Sequence, residues 1–229
     1  MKKFAIAVLM AVLLPWCVSI SRASAQEGAG SPELTASDAF VKLPAGTLDL
    51  LTTSMRKDLL DYYRNDSIYR VRNTMQGLSY LERPVTDQYL KVCLTHVTSM
   101  TLRLLPSKKG PVVMSIYTVG DSIQAHDSEI AFFDSSMTPL KRDKLIKLAS
   151  TEDFLDTKGL GRHERDELSK LVPFPTVEYS IGETGDTLTA RLTVGEFLGK
   201  ETMEKLKPHL IRERKYLWDG SKFKLIPLK

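Results

Sequence analysis

The sequence predicts an α+β fold: a mainly antiparallel sheet built from hairpins and covered by a few amphipathic helices. Three observations carry this. Residues 86–134 contain four consecutive segments with strand character, separated by short polar breaks at Thr98–Ser99, Ser107–Gly110 and Gly120–Ser128. Breaks of that length suit hairpins and are too short for helical crossovers. Strand patterns return after residue 176, again paired by turn sequences. Between them and the N-terminus lies one long amphipathic stretch, Thr47–Arg64.

Within the first block, Leu90, Val92 and Leu94 alternate with Lys91 and Thr95, and Met100, Leu102 and Leu104 alternate with Thr101 and Arg103. A period of two sends one set of side chains into a core and the other towards water. Val112–Val119 is apolar on nearly both faces and is expected to be an inner strand; Ile130–Phe133 closes the set.

The N-terminus has the three parts of a secretory signal. Lys2 and Lys3 precede an uncharged apolar run, Phe4–Val18, and Ala23-Ser24-Ala25 forms a small-x-small cleavage site. The run is shorter than the roughly 20 residues a spanning helix requires. The expectation is therefore a cleaved signal over 1–25, no transmembrane span afterwards, and a periplasmic or secreted address. Cys17 raises a lipoprotein alternative, but it follows Leu14-Pro15-Trp16, and Trp is too large for the small residue such sites place there.

The chain carries 32 basic and 28 acidic residues, a net +4. Removing Lys2, Lys3 and Arg22 leaves 29 against 28, so the basicity belongs largely to the leader. A nearly neutral surface, without aromatics interleaved among basic residues, points away from nucleic acid. After cleavage Cys93 is the remaining cysteine, so no internal disulfide is expected. Its reading is a small half-buried apolar residue with no sequence neighbour that would lower its pKa.

In chain order, residues 26–38 (Gly-, Ala- and Ser-rich) read as a flexible leader and residues 39–229 as a single α+β domain. Ala39–Pro44 offers a short apolar anchor. Thr47 is placed to cap a helix running to Arg64, with Leu48, Leu51, Met55, Leu59 and Tyr62 on one stripe. Asn65–Met75 is open between loop and edge strand; Gly77–Leu81 reads as a strand. Ser135–Asp156 is either a helix from Thr138-Pro139 or an extended connector. Glu164–Leu171 and Lys200–His209 read as helices, Val177–Ile181 and Thr187–Val194 as strands, and Lys215–Leu225 as a hairpin turning at Asp219-Gly220. Residues 135–175 separate two strand-rich blocks and are a candidate sub-boundary. Residues 176–229 are few to bury a core alone, so one continuous sheet is the expectation.

Chemical motifs are sparse. There is no phosphate loop and no G-x-S-x-G elbow. His96, His126, His163 and His209 lack metal-ligand spacing, so neither a metal nor a cofactor is expected. The polar cluster with catalytic or binding ingredients is the break between two core strands, from which Asp121, His126, Asp127 and Glu129 are the candidate binding residues. A solvated hairpin loop is the plainer account of the same residues. Tyr216, Trp218 and Phe223 could line a groove, though a core edge explains them better.

Three segments carry a resemblance. They are Leu43-Pro44 through Asp61-Tyr62; Tyr89-Leu90-Lys91-Val92 with Leu102–Pro106 and Thr118-Val119; and Lys200–Leu206 with Tyr216-Leu217-Trp218-Asp219-Gly220 and Lys222-Phe223. Together they resemble a family of exported Bacteroidetes (Bacteroidales) proteins of unknown function. The resemblance implies export and one family domain, and it brings no catalytic residues with it.

The functional expectation is a non-catalytic periplasmic or surface-associated module that binds an envelope protein or an extracellular ligand. The alternative is an extracytoplasmic hydrolase acting on a polymer such as a glycan; a third is a subunit of an envelope complex.

Overall fold

The structure, a computed structural model, describes residues 33–65, 70–120, 125–172, 174–194 and 197–228. The secretory-signal reading and Asp121 lie outside these residues. Leu34–Lys229 is one compact unit. No helix among the described residues is long and apolar enough to cross a membrane.

The fold is α+β, with two antiparallel sheets. The larger is a meander of β1 (Val71–Arg72), β2 (Leu78–Glu82), β3 (Tyr89–Cys93), β4 (Thr98–Leu105), β5 (Val112–Val119), β6 (Asp127–Phe133) and β7 (Pro139–Leu140), hydrogen-bonded in chain order. The smaller contains β8 (Val177–Ile181), β9 (Thr187–Leu192), β10 (Glu213–Trp218) and β11 (Phe223–Leu225), ordered β11-β10-β9-β8. The four strands expected in 86–134 are β3 to β6.

Two sheets replace the single continuous one anticipated. The edge of the large sheet ends at β7, a two-residue strand whose Pro139 has no N–H to donate. The opposite need is apolar cover. Leu105, Met114, Ile116, Ile130 and Phe132 form a stripe on one face of β4–β6, and they cluster with Tyr179, Leu188, Ala190, Tyr216, Trp218 and Phe223 of the small sheet. Face-to-face packing removes both stripes from water, which edge extension would not. The aromatics of the last hairpin are thus core. Trp218 lies 5.1 Å from Phe223 between ring centroids, and its Nε1 donates to the Pro106 carbonyl at 2.7 Å.

The other face of the large sheet is covered by helices α1 (Ala36–Lys42) and α2 (Thr53–Arg64). Phe40, Leu59 and Leu60 pack with Leu90, Val92, Leu94, Met100 and Leu102 in a second core. Each such side chain, fully buried, contributes about 1.5–3 kcal/mol. Helix α1 begins inside the stretch read as a leader, because Thr35 and Asp38 form a reciprocal capping box and Ala36 is buried. Helix α2 is shorter than its periodicity implied. Thr52, not Thr47, caps it, accepting from the Met55 N–H at 3.3 Å. Leu48 and Leu51 are still buried, held by turns before the helix. Arg56 fastens α1 to α2, donating to the Phe40 and Leu43 carbonyls at 2.9 and 3.2 Å.

Residues 135–156 take the connector form, with β7 and 3-10 turns at Arg142–Lys144 and Thr151–Phe154. Helices α3 (Arg162–Lys170) and α4 (Lys200–Leu206) do not cover a sheet. Their Leu168 and Leu206 join Leu155, Val172 and Val194 in a small separate cluster.

Candidate functional site

A seven-stranded sheet faced by a four-stranded one leaves part of its surface uncovered. Strand register puts Tyr80, Glu82, Tyr89, Lys91, Cys93 and Thr101 on the same face as Met114 and Ile116. The small sheet seals the second pair and stops short of the first group. Its β8 becomes a wall, and the uncovered ledge becomes a floor. The result is a cleft of about 370 Å³, lined from below by Tyr89, Lys91, Cys93, Ser99 and Thr101, and from the side by Glu178–Ile181.

On the floor, Glu82 joins two strands. Its Oε2 lies 2.8 Å from Lys91 Nζ, and its Oε1 accepts a hydrogen bond from the Cys93 thiol at 2.7 Å. Burial works to raise the Glu82 pKa, but the bonds from Cys93 and Lys91 outweigh it and the carboxyl titrates below its ordinary value. Burial and the same carboxylate push the Cys93 thiol up. The thiol is therefore held protonated, the opposite of an activated nucleophile.

At the wall, Glu178 of β8 meets His126 and Arg191. His126 Nδ1 is 2.8 Å from Glu178 Oε1, and Arg191 reaches Oε2 with Nη2 at 2.6 Å and Nε at 2.9 Å. Burial favours the protonated Glu178, yet the Arg191 and His126 hydrogen bonds prevail and lower its pKa. The imidazole is seated against Gly120, which has φ +139; a β-carbon there would meet the His126 backbone Cα at 2.7 Å and its ring. Thr193 Oγ1 also donates to the His126 carbonyl at 2.5 Å.

Side chains of the large sheet also satisfy the outer edge of β8. Asp127 Oδ1 accepts from the Val177 N–H at 3.0 Å, and Ser128 Oγ accepts from the Tyr179 N–H at 3.1 Å. Arg103, 3% exposed, pins the β8–β9 turn by donating to the Gly185 carbonyl at 3.2 Å while it holds the Gln88 carbonyl and side chain.

The structure separates the residues that sequence placed together. His126 faces the cleft. Asp127 serves as a backbone cap between the sheets. Glu129 lines a different cavity of about 400 Å³ on the helix-covered side, with Asp49 and Tyr117. Asp127 and Glu129 are two apart on β6 and share a face by alternation, but Asp127 is the strand's first residue and turns its carboxylate to β8 while Glu129 stays in the other cavity, so nearness in sequence is not convergence. Glu82, Lys91, Cys93 and Glu178 were missed as a site. The Tyr89–Lys91–Cys93 alternation was a visible signal; that the face it marked would be half-roofed was not.

Among the described residues, no three His, Cys, Asp or Glu side chains converge as metal ligands. The cleft offers paired charges and hydroxyls at its surface, a set suited to hydrogen-bonding a polar molecule.

A domain of an uncharacterized protein from Porphyromonas gingivalis W83 is similar in structure, with a TM-score of 0.71 and 22% sequence identity. The match covers 84% of this chain and 98% of that one, and a likeness at this identity shows a shared fold. No curated protein matches the sequence. The model of the family described as "Protein of unknown function (DUF3256)" matches residues 31–223, and the chain belongs to that family.

Proposed function

We propose that this protein is an exported, non-catalytic binding module whose ligand occupies the cleft between the ledge and β8. The observation that carries the reading is the state of the two cleft carboxylates. Glu82 and Glu178 are both ion-paired and both titrate below the ordinary range. A glycosidase needs one carboxyl held protonated near neutral pH as a general acid. Neither group fills that role, and Cys93 is not a thiolate. The size suits a ligand site, since small-molecule pockets span about 300–1,000 Å³.

The hydrolase alternative retains one supporting feature, two carboxylates lining one cleft. The export element rests on the Lys2-Lys3, Phe4–Val18 and Ala23–Ala25 pattern and on the family resemblance. Sequencing the N-terminus of protein from the extracytoplasmic fraction checks it: a chain starting at Gln26 is expected, and an intact Met1 in the cytoplasm would overturn it.

Incubation of the chain from Gln26 with saccharides, peptidoglycan fragments, peptides and nucleotides separates module from enzyme. The expected result is saturable stabilisation by one class with every probe recovered intact. Turnover that Glu82→Gln or Glu178→Gln abolishes would establish the hydrolase instead.

A further inference from the structure

We infer that the ligand of this cleft is a neutral, hydroxyl-rich molecule: the terminal rings of a saccharide. The inference rests on the binding-module reading and specifies its ligand.

Charge is the first argument. Lys91 is matched by Glu82 at 2.8 Å, and Glu178 by Arg191 at 2.6 Å. An anionic ligand would have to draw Lys91 away from Glu82 and leave a half-buried carboxylate without its counter-ion. A cationic one would meet carboxylates whose charge Lys91 and Arg191 already match, so it would give up its hydration for little attraction in return; a neutral ligand avoids both costs.

Hydrogen-bonding capacity is the second. Thr95, Thr98, Ser99, Thr101, Thr118 and Ser180 all border the cleft. A hydroxyl donates once and accepts twice, and so does each hydroxyl of a sugar. The bound carboxylates add acceptors of fixed direction. Glu82 uses one lone pair on each oxygen for Cys93 and Lys91, and a carboxylate offers about four such sites. The remainder can accept O–H groups from a ligand without giving up either ion pair. Fixed acceptors held by a cation select for hydroxyls, because an analogue lacking the O–H leaves them unmet.

Shape is the third. The floor includes the half-buried Tyr89, an aromatic ring among polar groups. A pyranose has the matching character, with a C–H face that packs on an aromatic ring and a rim of hydroxyls.

Cys93 supplies the readout. It borders the cleft and is the one cysteine left once residues 1–25 are absent. The compact unit begins at Leu34, so the shorter chain contains all of that unit. Iodoacetamide labelling of Cys93 at alkaline pH is to be timed with neutral disaccharides of gluco, galacto, manno and N-acetylated types. Glucosamine serves as the cationic probe and glucuronate as the anionic one. A neutral sugar is expected to slow labelling saturably, by about tenfold at ten times its Kd, as the unoccupied fraction falls. Thr101→Val, which removes a hydroxyl at constant shape, is expected to weaken that protection about five- to tenfold, with a Tm lowered only by the loss of its bond to Tyr89. Protection by a charged probe with none from the neutral panel would overturn the ligand class and leave the binding module standing. Failure of every sugar to protect Cys93 would overturn the saccharide ligand, and the module itself falls only if the peptidoglycan, peptide and nucleotide probes fail to protect Cys93 as well.

Discussion

The Arg103 guanidinium donates to the Gly185 carbonyl at 3.2 Å, tying the ledge of the large sheet to a turn of the small one across 82 residues of sequence. Its other partners are the Gln88 carbonyl and side-chain oxygen, all neutral, and burial pulls its pKa down. A buried cation held by carbonyls is a directional clamp: the planar fork fixes where the turn sits. Truncating it removes these charge-assisted bonds, although the Gln88 carbonyl keeps the Leu104 N–H and the exposed Gly185 and Gln88 can turn to water, for a cost of about 1.5–3 kcal/mol. Arg103→Ala is expected to lower the urea midpoint accordingly. Arg103→Lys is expected to recover only part of the loss, because an ammonium cannot span both partners. Equal midpoints for wild type and Arg103→Ala would refute the clamp.

Trp218 reports on the contact between the sheets. With residues 1–25 removed it is the remaining tryptophan, buried and donating to Pro106. Trp218→Phe retains a ring and loses the donor and some volume, for an expected loss of about 1–3 kcal/mol. In the unmutated chain, unfolding should shift its emission to the red in step with the far-ultraviolet signal. A fluorescence transition well ahead of the loss of strand structure would show that the sheets part before they melt.

The Glu178 cluster makes stability depend on acid. Its folded pKa lies below the ordinary 4.5, so its contribution is complete above that value and is lost as pH falls through the folded pKa. Arg191 stays charged across this window, so the lost partner is the carboxylate. Glu178→Gln should lower Tm at neutral pH, and the two curves should converge as the pH drops below 4.5. A gap that persists unchanged into strong acid would mean that the ion pair contributes nothing.

Glu82 controls the thiol beside it. Burial and the Glu82 carboxylate together raise the Cys93 pKa, so Glu82→Gln removes the electrostatic part while leaving the burial. The pH at which Cys93 is half-labelled by iodoacetamide should move down in the variant. An upward move would mean that the carboxylate had been stabilising the thiolate.

The sequence by itself determined the α+β class, the four central strands, the last hairpin and the inward set Leu90, Val92 and Leu94. It did so because period-two burial and turn chemistry are local properties that need no knowledge of distant residues. The α2 start was misread for the complementary reason. Leu48 and Leu51 continue the helical spacing and are buried, but from turns, so burial alone did not reveal the cap at Thr52.

Only the tertiary structure decided that the strands divide into two sheets, and hence that a cleft exists. Strand alternation says which side chains share a face; it says nothing about what lies across from that face. Lys91 and Cys93 read as water-facing and half-buried residues of one strand, and Glu178 lies 85 residues beyond Cys93. They border one cavity because the smaller sheet roofs β5 and β6 and stops before β3, a matter of how many strands each sheet contains and where each ends.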